Sequence, residues 1–214
     1  MALQEGLDVT SKDDVLAEMG GVPDLADLIP AEFRARFHLA EPTQYGIVCR
    51  DLPDKIAQLE ALGAGPFAYG KAPLLGWKER GIARKVRAEV ALGYCAGQQI
   101  ELLGPGENTD HYAEKIPADG GFALHHVGIA QLGLEASRRA FAEAGIEMAV
   151  ELGMKMGPLF SMQVLYYDTR DELGFYVEQL EFRSFGRHVP LTEGLISRLG
   201  GLQQRLRPQP ARMP

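Results

Sequence analysis

The sequence predicts an α+β fold made of two copies of one module, a strand, a helix and three more strands, and two observations carry that prediction. The first is an internal repeat at a constant offset of 82 residues. Gly46, Ile47, Leu52 and Gly63 recur without gaps as Gly128, Ile129, Leu134 and Gly145, and His126 stands where Gln44 does. Self-similarity at a fixed spacing is the mark of a duplicated structural unit. The second is texture: in each copy a short β-type run leads into apolar residues at helical spacing, and β-like runs follow.

An N-terminal arm over 1–42 holds two weak helical patterns, at 11–19 and 24–37. The first module covers 43–104. Its opening strand leads into a helix through Ile56, Leu59 and Leu62, which ends at Gly63, a residue suited to a helix C-cap. Strands follow near 66–70, 85–95 and 98–104. Residues 105–123, rich in Pro, Gly and polar turn formers, read as a linker with one helical turn. The second module, 124–183, repeats the pattern: a helix through Leu134, Phe141 and Ala144 ends at Gly145, and strands lie near 147–153, 161–168 and 175–182. The tail, 184–214, has an amphipathic helix over 191–206 before a Pro-rich end. Both flanks are expected to cover a sheet edge or a partner subunit.

Composition narrows the function. The 214 residues are 46% hydrophobic and 24% charged, ordinary values for a soluble domain. No apolar run approaches the roughly 18 residues of a membrane span. The acidic start has no apolar core after a basic stretch, so no secretory leader is expected. A net charge of −7 argues against nucleic acid, whose phosphates need clustered Lys and Arg. Cys49 and Cys95 both sit in apolar runs, a reducing-compartment pattern, so the expected location is the cytoplasm.

The repeat also exposes polar residues where strands should be apolar. Gln44 and His126 begin the first strands of the two copies, and Glu101 and Glu178 sit within the last ones. Strand alternation places Gln44, Gly46 and Val48 on one face, with His126, Gly128 and Ala130 sharing the equivalent face. Each polar residue is therefore followed on its own face by a glycine, which leaves room for a ligand. Glu101 and Glu178 face away from Ile100, Leu102 and Val177, which are free to pack against a helix. Two carboxylates, an imidazole and an amide oxygen suit one hard or borderline dication (Zn, Ni, Co, Mn or Mg) and differ from a thiolate zinc site. The alternative is that all four are edge-strand side chains facing water. Parity puts His125 opposite His126, so its expected role is packing or support of a ligand.

These residues, Gln44-Tyr-Gly-Ile-Val, Ile-Glu101-Leu-Leu-Gly-Pro, Leu-His-His126-Val-Gly-Ile-Ala and Gly-Phe-Tyr-Val-Glu178, resemble the vicinal oxygen chelate superfamily over roughly 43–183. That group includes glyoxalase I, methylmalonyl-CoA epimerase, extradiol dioxygenases and bleomycin-resistance proteins, and the texture is nearest the glyoxalase and epimerase branch. The resemblance implies paired βαβββ modules curled into an incomplete barrel around a metal cleft, with Gln44, Glu101, His126 and Glu178 as metal ligands. The set is similar to that of zinc-dependent glyoxalase I. The epimerase pattern would have His at position 44, and the Asn-Trp-Gly run that glyoxalase I carries after its first Glu is replaced here by Leu-Gly-Pro-Gly-Glu-Asn.

An oxygen-rich divalent site suits proton abstraction next to a carbonyl through a metal-stabilised enolate, the chemistry of an isomerase, epimerase or lyase. By family analogy Glu178 is the first candidate base and Glu101 the second. The implied substrate is a small carbonyl compound or acyl thioester, and the implied assembly a homodimer. The alternative is a metal-free binding or sequestering protein. A dioxygenase is disfavoured, because Fe(II) oxygen activation wants two His and one carboxylate. Gln163 and Tyr167 share a strand parity and are candidate substrate contacts. Lys78, Arg80, Arg84 and Lys85 cluster around Trp77, either as a loop attracting an anionic substrate or as a solvated face. His111 and His188 have no partner by spacing.

Overall fold

The structure is a computed structural model that describes residues 12–156, 159–189 and 191–206. The first eleven residues and the Pro-rich end, 207–214, lie outside the described residues. Three short helices form the arm: α1 (Lys12–Glu18), α2 (Leu25–Leu28) and α3 (Ala31–Arg36). The first module contains β1 (Gln44–Val48), α4 (Leu52–Ala61), β2 (Ala68–Leu74), the hairpin β3 (Lys78–Glu79) and β4 (Ile82–Ala83), β5 (Val86–Cys95) and β6 (Gln98–Leu103). The second contains β7 (Ala123–Ala130), α5 (Glu135–Glu143), β8 (Met148–Met156), β9 (Phe160–Tyr167), α6 (Arg170–Leu173) and β10 (Tyr176–Ser184). A 3₁₀ turn (Ala113–Lys115) lies between the modules, and β11 (Arg187–His188) and α7 (Glu193–Leu206) follow.

The two module helices end as the sequence dictates. Gly63 and Gly145 stop α4 and α5 at φ values of +85° and +73°, a left-handed conformation that glycine adopts at no steric cost. All strands join one sheet in the order β2-β5-β6-β1-β7-β10-β9-β8-β3-β4, with β11 on β10. β1 and β7 pair antiparallel at the centre, while β6 runs parallel to β1 and β10 parallel to β7. The sheet therefore has a local two-fold relation between modules. The β3–β4 hairpin, inserted between β2 and β5, reaches across to pair with β8 and brings the two ends of the sheet together. Leu75 O accepts from Gly153 N–H at 3.2 Å along the same seam.

One core lies on the outer face, where Tyr45, Ile47, Ile100, Leu102, Val127, Val177 and Leu165 pack against Ile56 and Leu59 of α4 and Phe141 of α5. The arm completes this layer: Phe37 stacks on Phe141 with ring centroids 4.2 Å apart. The second core lies on the inner face and includes Val48, Trp77, Tyr112, Val150, Val164, Tyr166 and Tyr176. As expected, a flank covers an edge: α7 lies on β2, and the Gln203 amide accepts from Tyr69 N–H at 2.8 Å and donates to Tyr69 O at 3.0 Å.

Two expectations are corrected and one alternative is decided. His126 does not begin its strand, because β7 starts at Ala123. The region 105–123 is more than a linker, since it buries His111 and Tyr112 inside the sheet. Of the two accounts of the cationic loop, the structure favours the solvated face. Trp77 is 1% exposed in the inner core, while Arg80 pairs with Glu147 and Asp168, and Arg84 with Glu79.

Candidate metal centre

The cluster is built by two rows of residues across the four central strands. In one row Gln99, Gln44, Gly128 and Glu178 are neighbours on β6, β1, β7 and β10. In the next, running the opposite way, Tyr176, His126, Gly46 and Glu101 occupy the equivalent places. Each row thus presents a ligand, a glycine and a glutamate in succession. The glutamate reaches over the glycine toward the ligand.

The glycines are sterically required. A Cβ on Gly46 would stand 2.0–2.2 Å from the His126 imidazole, and one on Gly128 would stand 2.5 Å from Gln44 Oε1 and 3.0 Å from Glu178 Oε2. The room each glycine leaves is filled by the ligand side chain of the other module. His126 Nε2 lies 3.2 Å from Glu101 Oε2 and 3.3 Å from Glu178 Oε2. The three ligand atoms lie within 4.8 Å of one another, a spacing able to hold a metal ion. Gln44 Oε1, Glu101 Oε2, His126 Nε2 and Glu178 Oε2 are all buried without an aligned hydrogen bond. Buried polar atoms are rarely left so, and four converging on one place fit a cation that is their common partner.

Electrostatics follow from burial. Burial raises the Glu101 carboxyl above its usual range, and the adjacent Glu178 charge adds to this against the pull of His126. Burial alone would lower the His126 imidazole, but the carboxylates of Glu178 and Glu101 outweigh it and raise it to about 9. Without a metal, the cluster therefore holds a proton at His126 between two carboxylates.

His125 does not obey simple alternation. Gly46 pairs with His126 but Ile47 pairs with Leu124, so His125 is the extra residue of a β-bulge and turns its ring inward. Its Nε2 lies 2.8 Å from the carbonyl oxygen of His111, and its Nδ1 lies 3.1 Å from Nδ1 of His126. A carbonyl only accepts, so His125 carries its proton on Nε2. Burial holds the His125 imidazole well below its ordinary range and therefore neutral, which leaves Nδ1 as an acceptor. His126 then donates from Nδ1, and its Nε2 lone pair faces Glu101 and Glu178 once the extra proton has left. A support of this kind fixes the tautomer of a metal-binding histidine.

The expected substrate contacts are corrected. Tyr167 packs on the outer face, its ring 4.0 Å from Phe141, and Gln163 shares that face, paired with Glu181 on β10. Leu165 between them belongs to the outer core, and alternation carries both residues away from the cluster. Tyr166 is the tyrosine that faces it: it pairs with Glu178, and its ring stands 5.1 Å from that of His126, edge-on. Burial and the Glu178 charge hold its phenol well above the ordinary range, hence protonated. The signal was present in the sequence, because Tyr166 alternates against Leu165 while Tyr167 is in phase with it.

His111 is the other unanticipated member. Its ring lies 4.7–5.1 Å from those of His125, Tyr112, Tyr166 and Tyr176, and it fills one end of the inner space.

No family model and no curated protein matches the sequence. Among solved structures, the chain is similar to a hypothetical protein from Bacillus halodurans, at 20% identity over 65% of this chain and 91% of that one, TM-score 0.43. It is similar to methylmalonyl-CoA epimerase from Mycobacterium tuberculosis at 18% identity, over 68% and 93%, TM-score 0.42. A variant of 4-hydroxymandelate synthase from Streptomyces coelicolor aligns at 10% identity, over 77% of this chain and 54% of that one, TM-score 0.46. What the chain's own topology shows is a pair of strand–helix–strand modules joined at β1 and β7 into one sheet, the paired-module architecture its sequence led us to expect.

Proposed function

We propose that the protein is a divalent-metal-dependent enzyme that moves a proton at the carbon next to a carbonyl, as an isomerase, epimerase or lyase does. One observation carries this reading: Gln44 Oε1, Glu101 Oε2, His126 Nε2 and Glu178 Oε2 converge, buried and without aligned hydrogen bonds. When bound, the cation supplies Lewis-acid polarisation of the substrate carbonyl. Gln44, Glu101, His126 and Glu178 would hold it, and the two carboxylates balance its charge.

The chain supplies the remaining parts. Glu178 is the candidate base, because its side chain is 3% exposed and its Oε2 lies 3.3 Å from His126 Nε2, at the centre of the cluster. Glu101, 13% exposed, is the second candidate. His125 and the His111 carbonyl orient His126 through two successive hydrogen bonds. Tyr166, held protonated beside Glu178, offers an O–H donor next to the base. The packed rings of His111, Tyr112 and Tyr176 exclude water from that side.

The experiment is metal analysis of protein purified without chelator, joined to NMR detection of solvent deuterium entering a panel of carbonyl compounds. About one metal per chain, lost in His126→Ala, together with exchange that Glu178→Gln abolishes while metal is retained, supports the reading. Full exchange in Glu178→Gln overturns the base. Persistent absence of metal from a folded protein returns the sequestering alternative.

A further inference from the structure

Strand register places a cavity beside the cluster. On the inner face the next residues beyond Glu101, Gly128 and Glu178 are Gln99, Ala130 and Leu180, each two positions along its strand and therefore about 6.6 Å away. All three line a single cavity of about 510 Å³. Its size falls within the roughly 300–1,000 Å³ of small-molecule sites. On the opposite side of the cluster the inner space is filled by His111, Tyr112, Trp77 and Tyr176. The cavity thus lies one inward-facing residue along the strands from the cluster, on the side away from His111 and Tyr112, with Gln99, Ala130 and Leu180 between the two.

The walls are chemically one-sided. Leu180, Phe182, Leu191 and Leu25 supply an apolar lining, while Gln99 and Tyr94 form a short hydrogen-bonded chain. Gln99 donates to the Tyr94 hydroxyl at 2.9 Å, and that hydroxyl donates to Leu191 O at 2.6 Å. Among the described residues, no lysine, arginine or histidine lines the cavity. The one charged lining residue, Glu41, is acidic and pairs with Arg34 at 2.8 Å. The cluster behind carries two more carboxylates, which a bound dication would only balance. An anionic ligand would lose its hydration here with no cationic side chain among the described lining residues to replace it and only a charge-balanced metal site behind, a cost that a neutral ligand avoids.

We propose that this cavity is the substrate chamber and that it takes an uncharged, largely apolar carbonyl compound, rejecting compounds that carry a carboxylate or phosphate. This rests on the proposed proton-transfer reading and narrows its substrate class. The arm and the tail, through Leu25 and Leu191, become part of the specificity wall.

The test is isothermal titration of the full chain, metal-free and zinc-loaded, with phenylacetone, with phenylpyruvate (a like skeleton bearing a carboxylate) and with butyryl-CoA. Phenylacetone is expected to bind both forms, at least about tenfold more tightly than phenylpyruvate, because an unpaired buried charge costs more than 1.4 kcal/mol. Leu191→Arg, on the rim and outside any strand, is expected to shrink that ratio about tenfold; circular dichroism checks its fold. Failure of phenylacetone to bind, tighter binding of phenylpyruvate or butyryl-CoA, or an unchanged ratio in folded Leu191→Arg overturns the substrate class. Deuterium exchange separates the two ideas. Phenylacetone that binds as expected but keeps its protons sinks proton transfer and leaves the chamber standing. Exchange confined to phenylpyruvate does the reverse.

Discussion

Gln44 and Gly128 sit opposite each other on the central strand pair, and the Gln44 amide oxygen occupies the space a side chain at 128 would need. The two-fold counterpart is His126 over Gly46. The duplication therefore gathers four candidate ligands around a shared centre, each copy giving way to the other's side chain. A Cβ at 128 would also press on Glu178 Oε2 at 3.0 Å. Gly128→Ala should keep the fold and lower metal affinity by about 10–100-fold, an effect of the size seen when ligand support is lost. Competitive metal titration checks this, and unchanged affinity would show that Gln44 and Glu178 are not ligands.

His125 holds His126 in one tautomer through the 3.1 Å contact between their Nδ1 atoms. His125→Leu removes the acceptor and should weaken metal binding about tenfold or more, whereas His125→Gln, which keeps an acceptor, should recover most of it. Nitrogen NMR of the metal-free protein above pH 9 reads the tautomer directly. Loss of the Nδ1-protonated form of His126 in the leucine variant, and its return in the glutamine variant, is the expected pattern.

The proton on His126 competes with metal. Because the carboxylates raise its pKa to about 9, the metal-free protein carries that proton at pH 7, and binding must expel it. Affinity should rise with pH, up to about tenfold per unit, and level off near pH 9. Calorimetry in buffers of different ionisation enthalpy should detect about one proton released. The same proton stabilises the metal-free fold: that contribution is complete below the unfolded value of 6.5 and disappears as pH rises through 9.

His111 has the opposite sign. Burial, with the neighbouring His126 charge, lowers its pKa from 6.5 to about 3, so the unfolded chain binds the extra proton between those values. Its stabilising contribution is present above pH 6.5 and declines as the pH falls toward 3, by at most about 1.4 kcal/mol per pH unit. Urea denaturation between pH 7 and 5 should show a shallower pH slope in His111→Gln than in the wild type.

Much of this was legible in one dimension. The offset of 82 residues announces the duplication, and alternation puts Gln44, Glu101, His126 and Glu178 on the face away from Ile100, Leu102 and Val177. Both are local properties: repeat spacing and the two-residue period of a strand need no knowledge of which strands pair. The sequence also marks Gly46 and Gly128 as places where a side chain is missing.

Tertiary structure decided the rest. A bulge that shifts register by one residue reverses the face of His125, and alternation counted along the sequence has no means of locating it. Alternation sets Tyr166 and Tyr167 on opposite faces, but which face is outer was decided only by the packing of Tyr167 on Phe141 of α5. The inward turn of His111 and Tyr112, the docking of the 78–83 hairpin on β8, and the apolar wall shared by Leu25, Leu180 and Leu191 all join residues far apart in the chain. Such contacts depend on how curled layers close in space, so the sequence by itself determined the candidate ligands and the paired modules, while the surroundings that set their protonation and support emerged only once the sheet had folded.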